Sequence, residues 1–172
     1  TSYQGEIAVP IWTTTPWTLP ANQAVALNPG LEYVIVQADT PHGKERLMVA
    51  EGLLKEVMGR WDIEHYHVIA YGLGDAFEGL KLKHCFYDRE VPVILGEHVT
   101  LEAGTGAVHT APGHGLDDYI VGQRYGLPVD NPVGGDGRFV AGTELFGGEH
   151  VFTANEKVIE VLKVRGALLQ EA

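Results

Sequence analysis

The stretch GTGAVHTAPGHGLDDY, residues 104–119, combines two glycines near its start, a short apolar run, a turn motif and two adjacent aspartates. Its first two glycines permit a positive φ or a close approach of the backbone to another group. The apolar run that follows predicts a short strand ending near His109, and PGHG predicts a tight turn. Asp117 and Asp118 are typical of the first turn of a helix. The stretch therefore places His109 and Asp118 at the border of one predicted pocket.

A second polar stretch, IWTTTPWTLPAN at residues 11–22, combines four threonines with two tryptophans and two prolines. Its threonines continue GEIAVP, so residues 5–15 predict a strand in which Pro10 marks an edge or a bulge. A third stretch, NPVGGDG at residues 131–137, predicts a loop that either covers the pocket or only reverses the chain. These three stretches are the candidate site, because loops often carry function.

The remainder of the chain predicts many short strands and a few helices. Runs of apolar and β-branched residues predict strands at residues 23–27, 32–39, 46–50, 66–72, 80–87 and 91–96. Apolar residues at helical spacing predict helices at residues 51–61, 115–126 and 155–169. Strands and helices do not alternate, so the predicted fold class is mixed α/β, a β-barrel-like core of short strands decorated by a few helices. The length of 172 residues fits a single domain over residues 1–172.

Composition excludes several classes of protein. The net charge of −11 disfavours a stand-alone nucleic-acid binder, which uses Lys and Arg to neutralise phosphates. No apolar run approaches the roughly 20 residues of a membrane span, and no signal peptide is visible. The single cysteine, Cys85, excludes an internal disulfide, fits a reducing compartment and is predicted to be buried in a strand. Both ends look cut from a longer chain, so we expect an excised domain.

The residues alone leave several chemistries open. GTGAVH lacks a third glycine and precedes a strand, which disfavours a dinucleotide site. His109, His114 and Asp118 could bind a metal, although their spacing matches no familiar zinc signature. Ser2 is the single serine, so the attacking group would be threonine, Cys85 or water. A structural interpretation also fits, with His109 as a satisfied strand-end residue and Asp118 as a helix cap.

Together, WTTTPWTLPAN and GTGAVHTAPGHGLDDY closely resemble the editing domain of bacterial isoleucyl-tRNA synthetases. The resemblance runs from Glu6 into the final predicted helix. This domain, connective peptide 1, is an insertion in the catalytic domain of the larger enzyme, and it implies the editing-domain fold of class I synthetases. Valyl and leucyl relatives share GTGA, but they carry TTRP where this chain has TTTPW and lack a histidine at the place of His109. These differences point to the isoleucyl family.

The resemblance implies that this domain hydrolyses the ester of valine wrongly joined to tRNA(Ile), after the amino acid has been transferred to the tRNA. Whether valine is also removed before transfer, as the adenylate, is left open. Isoleucine and valine differ by one methylene, which binding alone discriminates to a limited extent. Asp118 is implied to bind the ammonium, His109 to exclude isoleucine, and the threonines to hold the ester, the terminal adenosine and an attacking water. The implied catalytic residues are Thr14, Thr15 and Asp118. The implied substrate-binding residues are Trp12, Thr13, Thr18, Asn22, Gly104, Thr105, Gly106 and His109.

The implied partners are the 3′ acceptor end of tRNA(Ile) carrying valine and the rest of the parent synthetase, in the cytoplasm and without a membrane. No metal or other cofactor is expected in this domain, because ATP, magnesium and zinc belong elsewhere in the parent enzyme. Three alternatives stay open. They are a non-catalytic module that binds the acceptor end, a metal-dependent hydrolase using His109, His114 and Asp118, and a free-standing editing factor.

Overall fold

The computed structural model describes residues 6–171, in which seven strands and three α-helices form a mixed α/β fold. The strands are β1 (Ala24–Leu27), β2 (Glu32–Thr40), β3 (Gly43–Ala50), β4 (Tyr66–Leu73), β5 (Lys81–Lys83), β6 (Glu90–Leu95) and β7 (Ala107–Thr110). The α-helices are α1 (Leu54–Arg60), α2 (Leu116–Tyr125) and α3 (Val151–Val164). Short 3-10 helices cover Pro16–Ala21, Glu51–Leu53 and Gly74–Phe77. Ser2 lies outside the described residues.

The strands divide into two sheets that share one hydrophobic core. The first sheet has the order β5-β6-β1-β7, in which β1 pairs parallel with β6 and antiparallel with β7. The second is antiparallel and has the order β3-β2-β4. Side chains from both sheets meet in the core, among them the fully buried Leu27, Val36 and Val49. The predicted fold class, a barrel-like core of short strands decorated by a few helices, is confirmed.

Strand β1 positions the candidate site because it is buried on both faces. Val25 and Leu27 face the core shared by the two sheets, whereas Ala24 and Ala26 face a second cluster beneath α2. Full burial on both sides explains why this strand is continuously apolar instead of alternating. In the adjacent strand β7, His109 lies directly opposite Val25. The histidine is thus attached to the least exposed part of the sheet.

The helices largely follow the predicted pattern. Helix α2 ends at Gly126, which adopts φ 65° as helix-terminating glycines often do. Helix α3 begins earlier than the predicted range 155–169, because the ring of His150 caps it by accepting a hydrogen bond from Phe152 N. The helix also ends earlier, at Val164. Histidine is not among the usual capping residues, so this start gave no sequence signal. No helix within residues 6–171 has the length and apolar character that a membrane span requires.

The predicted strand at residues 5–15 is wrong over residues 6–15, the part that the structure describes. Ala8 makes a single bridge to Leu47 of β3, and the chain then runs irregularly into the 3-10 helix Pro16–Ala21. Pro10 lacks the N–H that a sheet ladder needs, and Pro16 presets the φ of a helix start. The threonines therefore form an irregular segment instead of a strand.

The predicted strand at residues 80–87 is too long. Strand β5 ends at Lys83, and the chain then bends, because His84 Nδ1 accepts hydrogen bonds from Phe86 N at 3.2 Å and Tyr87 N at 3.0 Å. Cys85 is half-buried in this bend and is not part of a strand, which corrects its predicted position. Burial raises the pKa of its thiol to about 11, so the sulfur is protonated at neutral pH and is a poor nucleophile.

Candidate functional site

A cavity of about 180 Å³ lies where the threonine segment, the end of β7 and the start of α2 meet. Its lining residues are Trp12, Thr13, Thr15, Thr18, Val108, His109, Ala111, His114 and Asp118. Both polar motifs of the sequence thus contribute to one site. A larger groove of about 310 Å³ lies beside β2, β3 and β4, between residues such as Asp39 and His67, and none of the predicted site residues lines it. We therefore assign the candidate site to the smaller cavity.

His109 is held at both of its ring nitrogens. Its Nε2 lies 2.9 Å from the hydroxyl of Thr18, and its Nδ1 lies 2.7 Å from the amide nitrogen of Asn22. The Thr18 hydroxyl in turn donates to the carbonyl of Thr15 at 3.0 Å. The imidazole is thus fixed in orientation by the threonine segment and by the residue that precedes β1.

The histidines around the cavity are neutral at physiological pH. Burial, together with the nearby rings of His84 and His114, lowers the pKa of His109 to about 4. Burial also lowers the pKa of His114, although the neighbouring carboxylates of Asp130 and Asp118 oppose the shift. Neither ring therefore supplies positive charge to the cavity near pH 7.

Asp118 lies in the first turn of α2 and connects this helix to the end of β7. Its Oδ2 accepts a hydrogen bond from Ala111 N at 3.0 Å. The N-cap residue of α2 is Gly115, and no side-chain hydrogen bond caps that end, so the simple capping role does not describe Asp118. Burial raises the pKa of its carboxyl, while the bond from Ala111 acts in the opposite direction. Asp117, by contrast, is exposed.

The threonine segment is held by hydrogen bonds within it and from α3. Thr15 N donates to the hydroxyl of Thr13 at 3.0 Å, which forms a tight local turn. Trp17 N donates to Asn155 of α3 at 3.0 Å. The ring of Trp17 also meets His114 edge-on, with the ring centres 5.1 Å apart. The rim of the cavity is therefore anchored on both sides.

A buried histidine that gave no functional signal in the sequence supports this segment from behind. His84 Nε2 donates to the carbonyl of Leu19 at 2.9 Å, since its Nδ1 already accepts backbone hydrogen bonds. Arg89 donates to the adjacent carbonyl of Pro20. Burial lowers the pKa of His84 to about 4, with the Coulombic effect of Arg89 acting in the same direction. Two side chains of the bend after β5 thus cap the end of the 3-10 helix.

Five of the predicted site residues do not line the cavity, namely Thr14, Asn22, Gly104, Thr105 and Gly106. Thr14 is exposed and is not among the lining side chains. Asn22 is buried behind His109, where it donates to the ring and to the carbonyl of Ala24 at 2.9 Å. Its side chain therefore contacts protein, and the contact with substrate that the resemblance implies stays a prediction.

The glycine motif before β7 mainly serves the structure. Thr105 is buried and donates to the carbonyl of Pro10 at 2.7 Å, which holds the beginning of the threonine segment against β7. The carbonyl of Gly106 accepts a hydrogen bond from the hydroxyl of Tyr33. Gly104 lies beside Trp12, so this glycine alone of the three is near the cavity rim. None of the three lines the cavity.

Trp12 forms the outer edge of the cavity. Half of its surface is exposed, at 50%, and the guanidinium of Arg60 lies 4.6 Å from the centre of its ring. A cation above an indole ring is a favourable arrangement. The mouth therefore has an aromatic face covered by a guanidinium, and that guanidinium is also paired with Glu56 at 2.7 Å.

The geometry does not favour a metal centre in this cavity. Within residues 6–171 no group of three or more His, Cys, Asp or Glu side chains is arranged to hold an ion. Both nitrogens of His109 are already engaged, and one oxygen of Asp118 accepts a backbone hydrogen bond. Metal binding would require these contacts to break.

The loop at residues 131–137 does not line the cavity. Gly134 N donates to the carbonyl of Arg138 at 2.8 Å, and Gly137 N donates to Gly134 at 3.0 Å, so the loop reverses the chain before Phe139. Of the two predicted roles, chain reversal is the one that these hydrogen bonds support.

The predicted site omitted three lining residues. Val108 and Ala111 flank His109 and Thr110 in the quoted motif, but apolar residues next to a polar motif give no separate signal. His114 entered the sequence analysis only as a possible metal ligand, and it instead contributes a neutral ring to the wall. The apolar part of the cavity became visible only in the structure.

Comparison with known proteins shows the family of the chain. The family model described as "Leucyl-tRNA synthetase, editing domain" matches residues 3–159. An isoleucine–tRNA ligase of Methylococcus capsulatus is 69% identical over 169 residues, which cover 98% of this chain and 18% of that protein. An isoleucine–tRNA ligase of Nitrosococcus oceani is 63% identical over 167 residues, covering 97% of this chain and 18% of that protein. The chain thus spans less than a fifth of the length of these relatives.

Solved structures show the same fold at low sequence identity. The crystal structure of GlLeuRS-CP1 is similar with a TM-score of 0.72 and 13% identity, covering 96% of this chain and 83% of that one. The editing domain of the P. knowlesi cytosolic leucyl-tRNA synthetase is similar with a TM-score of 0.66 and 10% identity, covering 92% of this chain and 83% of that one. At such identities the likeness concerns the fold alone.

Proposed function

The chain belongs to the family of aminoacyl-tRNA synthetase editing domains, and from that premise we propose that it hydrolyses the ester bond of valyl-tRNA(Ile). The observation that carries the proposal is the cavity where the two motifs meet, with one carboxylate, neutral imidazoles and a rim of threonine hydroxyls. The names of the relatives, isoleucine–tRNA ligases, support isoleucine as the amino acid that must be spared. Valyl adenylate would use the same amino-acid pocket and is a second substrate to test.

In this proposal Asp118 binds the ammonium group of the valyl moiety. Its carboxylate borders the cavity and has one hydrogen bond from Ala111 N, so it can accept further donors. A hydrogen bond between two charged groups is about twice as strong as one between neutral groups. The ammonium therefore orients the substrate, and the ester projects toward the threonine segment.

His109 and Val108 form the wall that measures the side chain. His109 cannot rotate without losing two hydrogen bonds, so the wall is rigid. A rigid wall is what size exclusion needs, because a flexible pocket would yield to a single additional methylene. Valine fits and isoleucine is excluded.

The ester is cleaved by a water molecule, without a covalent enzyme intermediate. The hydroxyls of Thr13 and Thr15 orient the ester and the water, and the exposed Thr14 contacts the ribose side of the terminal adenosine. Catalysis rests on positioning and on hydrogen-bond donors that stabilise the developing oxyanion. As the bond between the carbonyl carbon and the ribose oxygen breaks, a proton of the attacking water passes to that leaving oxygen, through solvent or through the neighbouring free ribose hydroxyl as a relay. The products are valine and tRNA with a free 3′ end, and no protein-bound metal takes part.

The acidic charge fits a domain that receives only the single-stranded 3′ end of the tRNA. With a net charge of −11, phosphate contacts contribute little affinity, so the rest of a cytoplasmic synthetase holds the body of the tRNA. The guanidinium of Arg60 lies over Trp12 at the cavity mouth, although its ion pair with Glu56 offsets its charge.

The decisive experiment compares the hydrolysis of valyl-tRNA(Ile) and isoleucyl-tRNA(Ile) at high concentrations of the 172-residue chain, with and without a chelator. We expect selective loss of the valyl ester that the chelator does not change. Equal hydrolysis of both esters would refute the sieve, and loss of activity with chelator would favour the metal-dependent alternative. Tight binding of the acceptor end without hydrolysis, in the chain and in the full-length synthetase, would favour the binding module.

A further inference from the structure

The hydrogen bonds around His109 determine which of its nitrogens carries the proton. Asn22 Nδ2 lies 2.9 Å from the carbonyl oxygen of Ala24 and 2.7 Å from His109 Nδ1. A carbonyl oxygen only accepts, so the amide nitrogen of Asn22, with its two hydrogens, must face both groups. Nδ1 of His109 is therefore an acceptor without a proton. A neutral ring then carries its proton on Nε2.

The other side of the ring agrees with this assignment. The Thr18 hydroxyl lies 3.0 Å from the carbonyl of Thr15 and donates to it, which leaves the hydroxyl oxygen free to accept. His109 Nε2, 2.9 Å away, is then the donor. The chain of donors runs in one direction, from His109 through Thr18 to Thr15. Every polar atom of the ring is satisfied within the protein.

We propose that Asn22 is a positioning residue, which fixes His109 as the neutral tautomer protonated at Nε2 and so turns a histidine into an apolar wall. The inference deepens the proposed editing function and rests on it, and it replaces the expected contact between Asn22 and the substrate. With both nitrogens engaged, the ring presents only carbon atoms and its π face to the cavity. Such a surface suits the side chain of valine and offers no group for acid–base catalysis.

A neutral wall also protects the binding of the ammonium group. The titratable groups around His109 are His84 on the bend after β5, His114 on the turn before α2, and Asp118 in the same cavity. A protonated His109 would place a cation in the cavity whose carboxylate receives the substrate ammonium, and the two cations would repel each other. Asn22 opposes that protonation, because its amide cannot accept a hydrogen bond from Nδ1 without turning away from Ala24.

The first test is nuclear magnetic resonance of the imidazole nitrogens in the unmodified chain, which distinguishes the two neutral tautomers and the cation. We expect His109 to be neutral with its proton on Nε2 from pH 8 down to about 5, since its pKa lies near 4. A proton on Nδ1, or a cationic ring at pH 7, would overturn the inference. This readout does not depend on hydrolysis, so the proposed function and the inference can fail separately.

The second test compares Asn22→Asp with Asn155→Asp. The first places an acceptor against Nδ1 and should raise the pKa of His109 by about two units or more. Hydrolysis of the valyl ester should then fall about tenfold for each pH unit below the raised pKa and recover above it. Asn155→Asp adds the same charge to the other side of the threonine segment, where it still accepts from Trp17 N, and should leave the His109 titration unchanged.

A loss of hydrolysis in Asn22→Asp that is the same at every pH, with an unchanged tautomer, would show that Asn22 contacts the substrate directly. The inference would then be wrong while the editing function stood. A shift of the His109 titration in both variants would show a general effect of negative charge, and would also contradict the specific role of Asn22.

Discussion

Asp118 is the single formally charged side chain among the described residues that line the cavity. Its neighbours are hydroxyls, apolar groups and two histidines whose pKa burial lowers. The cavity is therefore a small negative pocket inside a mostly neutral wall. At the scale of single residues, this charge pattern suits a ligand that has one cationic group and a compact apolar part.

Replacing Asp118 with Asn should remove the charge and keep an acceptor for Ala111 N. We expect kcat/KM for the valyl ester to fall by roughly a hundredfold, since a hydrogen bond to a charged group contributes about 2 to 3 kcal/mol. The melting temperature should change little. Asp117→Asn, at the exposed neighbouring position, is the matched control for hydrolysis. Equal losses of activity in the two variants would contradict the role of Asp118.

Replacing His109 with Ala should weaken the size limit of the cavity. We expect the preference for the valyl over the isoleucyl ester to fall by about tenfold, the lower end of what one methylene is worth in an apolar pocket. Thr110→Val is a suitable control, because Thr110 is the next residue of β7, is fully buried and does not line the cavity. An unchanged preference in His109→Ala would remove His109 from the sieve.

The sequence predicted that His109 and Asp118 border one pocket, but it did not predict the hydrogen bonds that support the pocket. A strand end followed by a turn and a helix start brings two polar residues together by local geometry, which a sequence pattern can reveal. Asn22 and His84 act through contacts with residues far away in the chain, His109 and Leu19 respectively. Such contacts depend on tertiary packing, so no local sequence pattern predicts them.

At the scale of elements, the prediction of regular structure succeeded where apolar periodicity was strong. The strands around the Asn-Pro-Gly turn, β4, β6, β7 and the helix after the PGHG turn were all predicted close to their actual bounds. It failed where side chains redirect the backbone, as His84 does after β5 and His150 does at the start of α3. The preference of threonine for strands also gave a wrong prediction, because prolines keep residues 9–15 out of any sheet.

The junction between β3 and β7 depends on a glycine. Gly106 has φ 85°, and a Cβ there would lie 2.4 Å from the Cβ of Ala50. Gly106→Ala should lower the free energy of unfolding by about 3 kcal/mol, from the left-handed backbone and from overpacking. Gly104 has φ 81°, but a Cβ there would lie no closer than 3.8 Å to a neighbouring side chain, that of Trp12. Gly104→Ala should therefore lower the free energy of unfolding by only about 1 kcal/mol.

Urea unfolding of both glycine variants measures this difference. Because the two glycines share the left-handed backbone conformation, the larger loss of unfolding free energy in Gly106→Ala measures the effect of the close contact with Ala50. Equal losses would mean that the two sheets can separate slightly at no cost, and that this junction does not hold the glycine motif beneath the cavity.

At the scale of the whole molecule, the buried histidines should make the domain sensitive to acid. Burial lowers the pKa of both His84 and His109 to about 4 from the ordinary 6.5. Between these values the unfolded chain binds more protons than the folded one, so stability falls as pH falls from 6.5 to 4 and levels off below. Each ring contributes at most about 3 kcal/mol to this loss. The raised pKa of Asp118 acts in the opposite direction.

Urea unfolding at pH 7 and pH 5 tests this expectation. The unmodified chain should lose stability between the two values, and His84→Gln, although less stable at pH 7, should lose less between them. A chain equally stable at both values would mean that the histidines are accessible to protons in the folded state, which would also contradict the satisfied network around His109.

The anchoring of the threonine segment has a consequence for the order of folding. Its partners come late in the chain, with His84 65 residues beyond Leu19 and Asn155 138 residues beyond Trp17. A contact of long sequence separation forms only after the intervening chain has been ordered. During synthesis the threonines leave the ribosome before these partners, and Asn155, the partner in α3, is added last of them. A fragment that stops before α3 would lack the hydrogen bond from Trp17 N to Asn155, so one side of the cavity rim would lose its anchor although every lining residue is present.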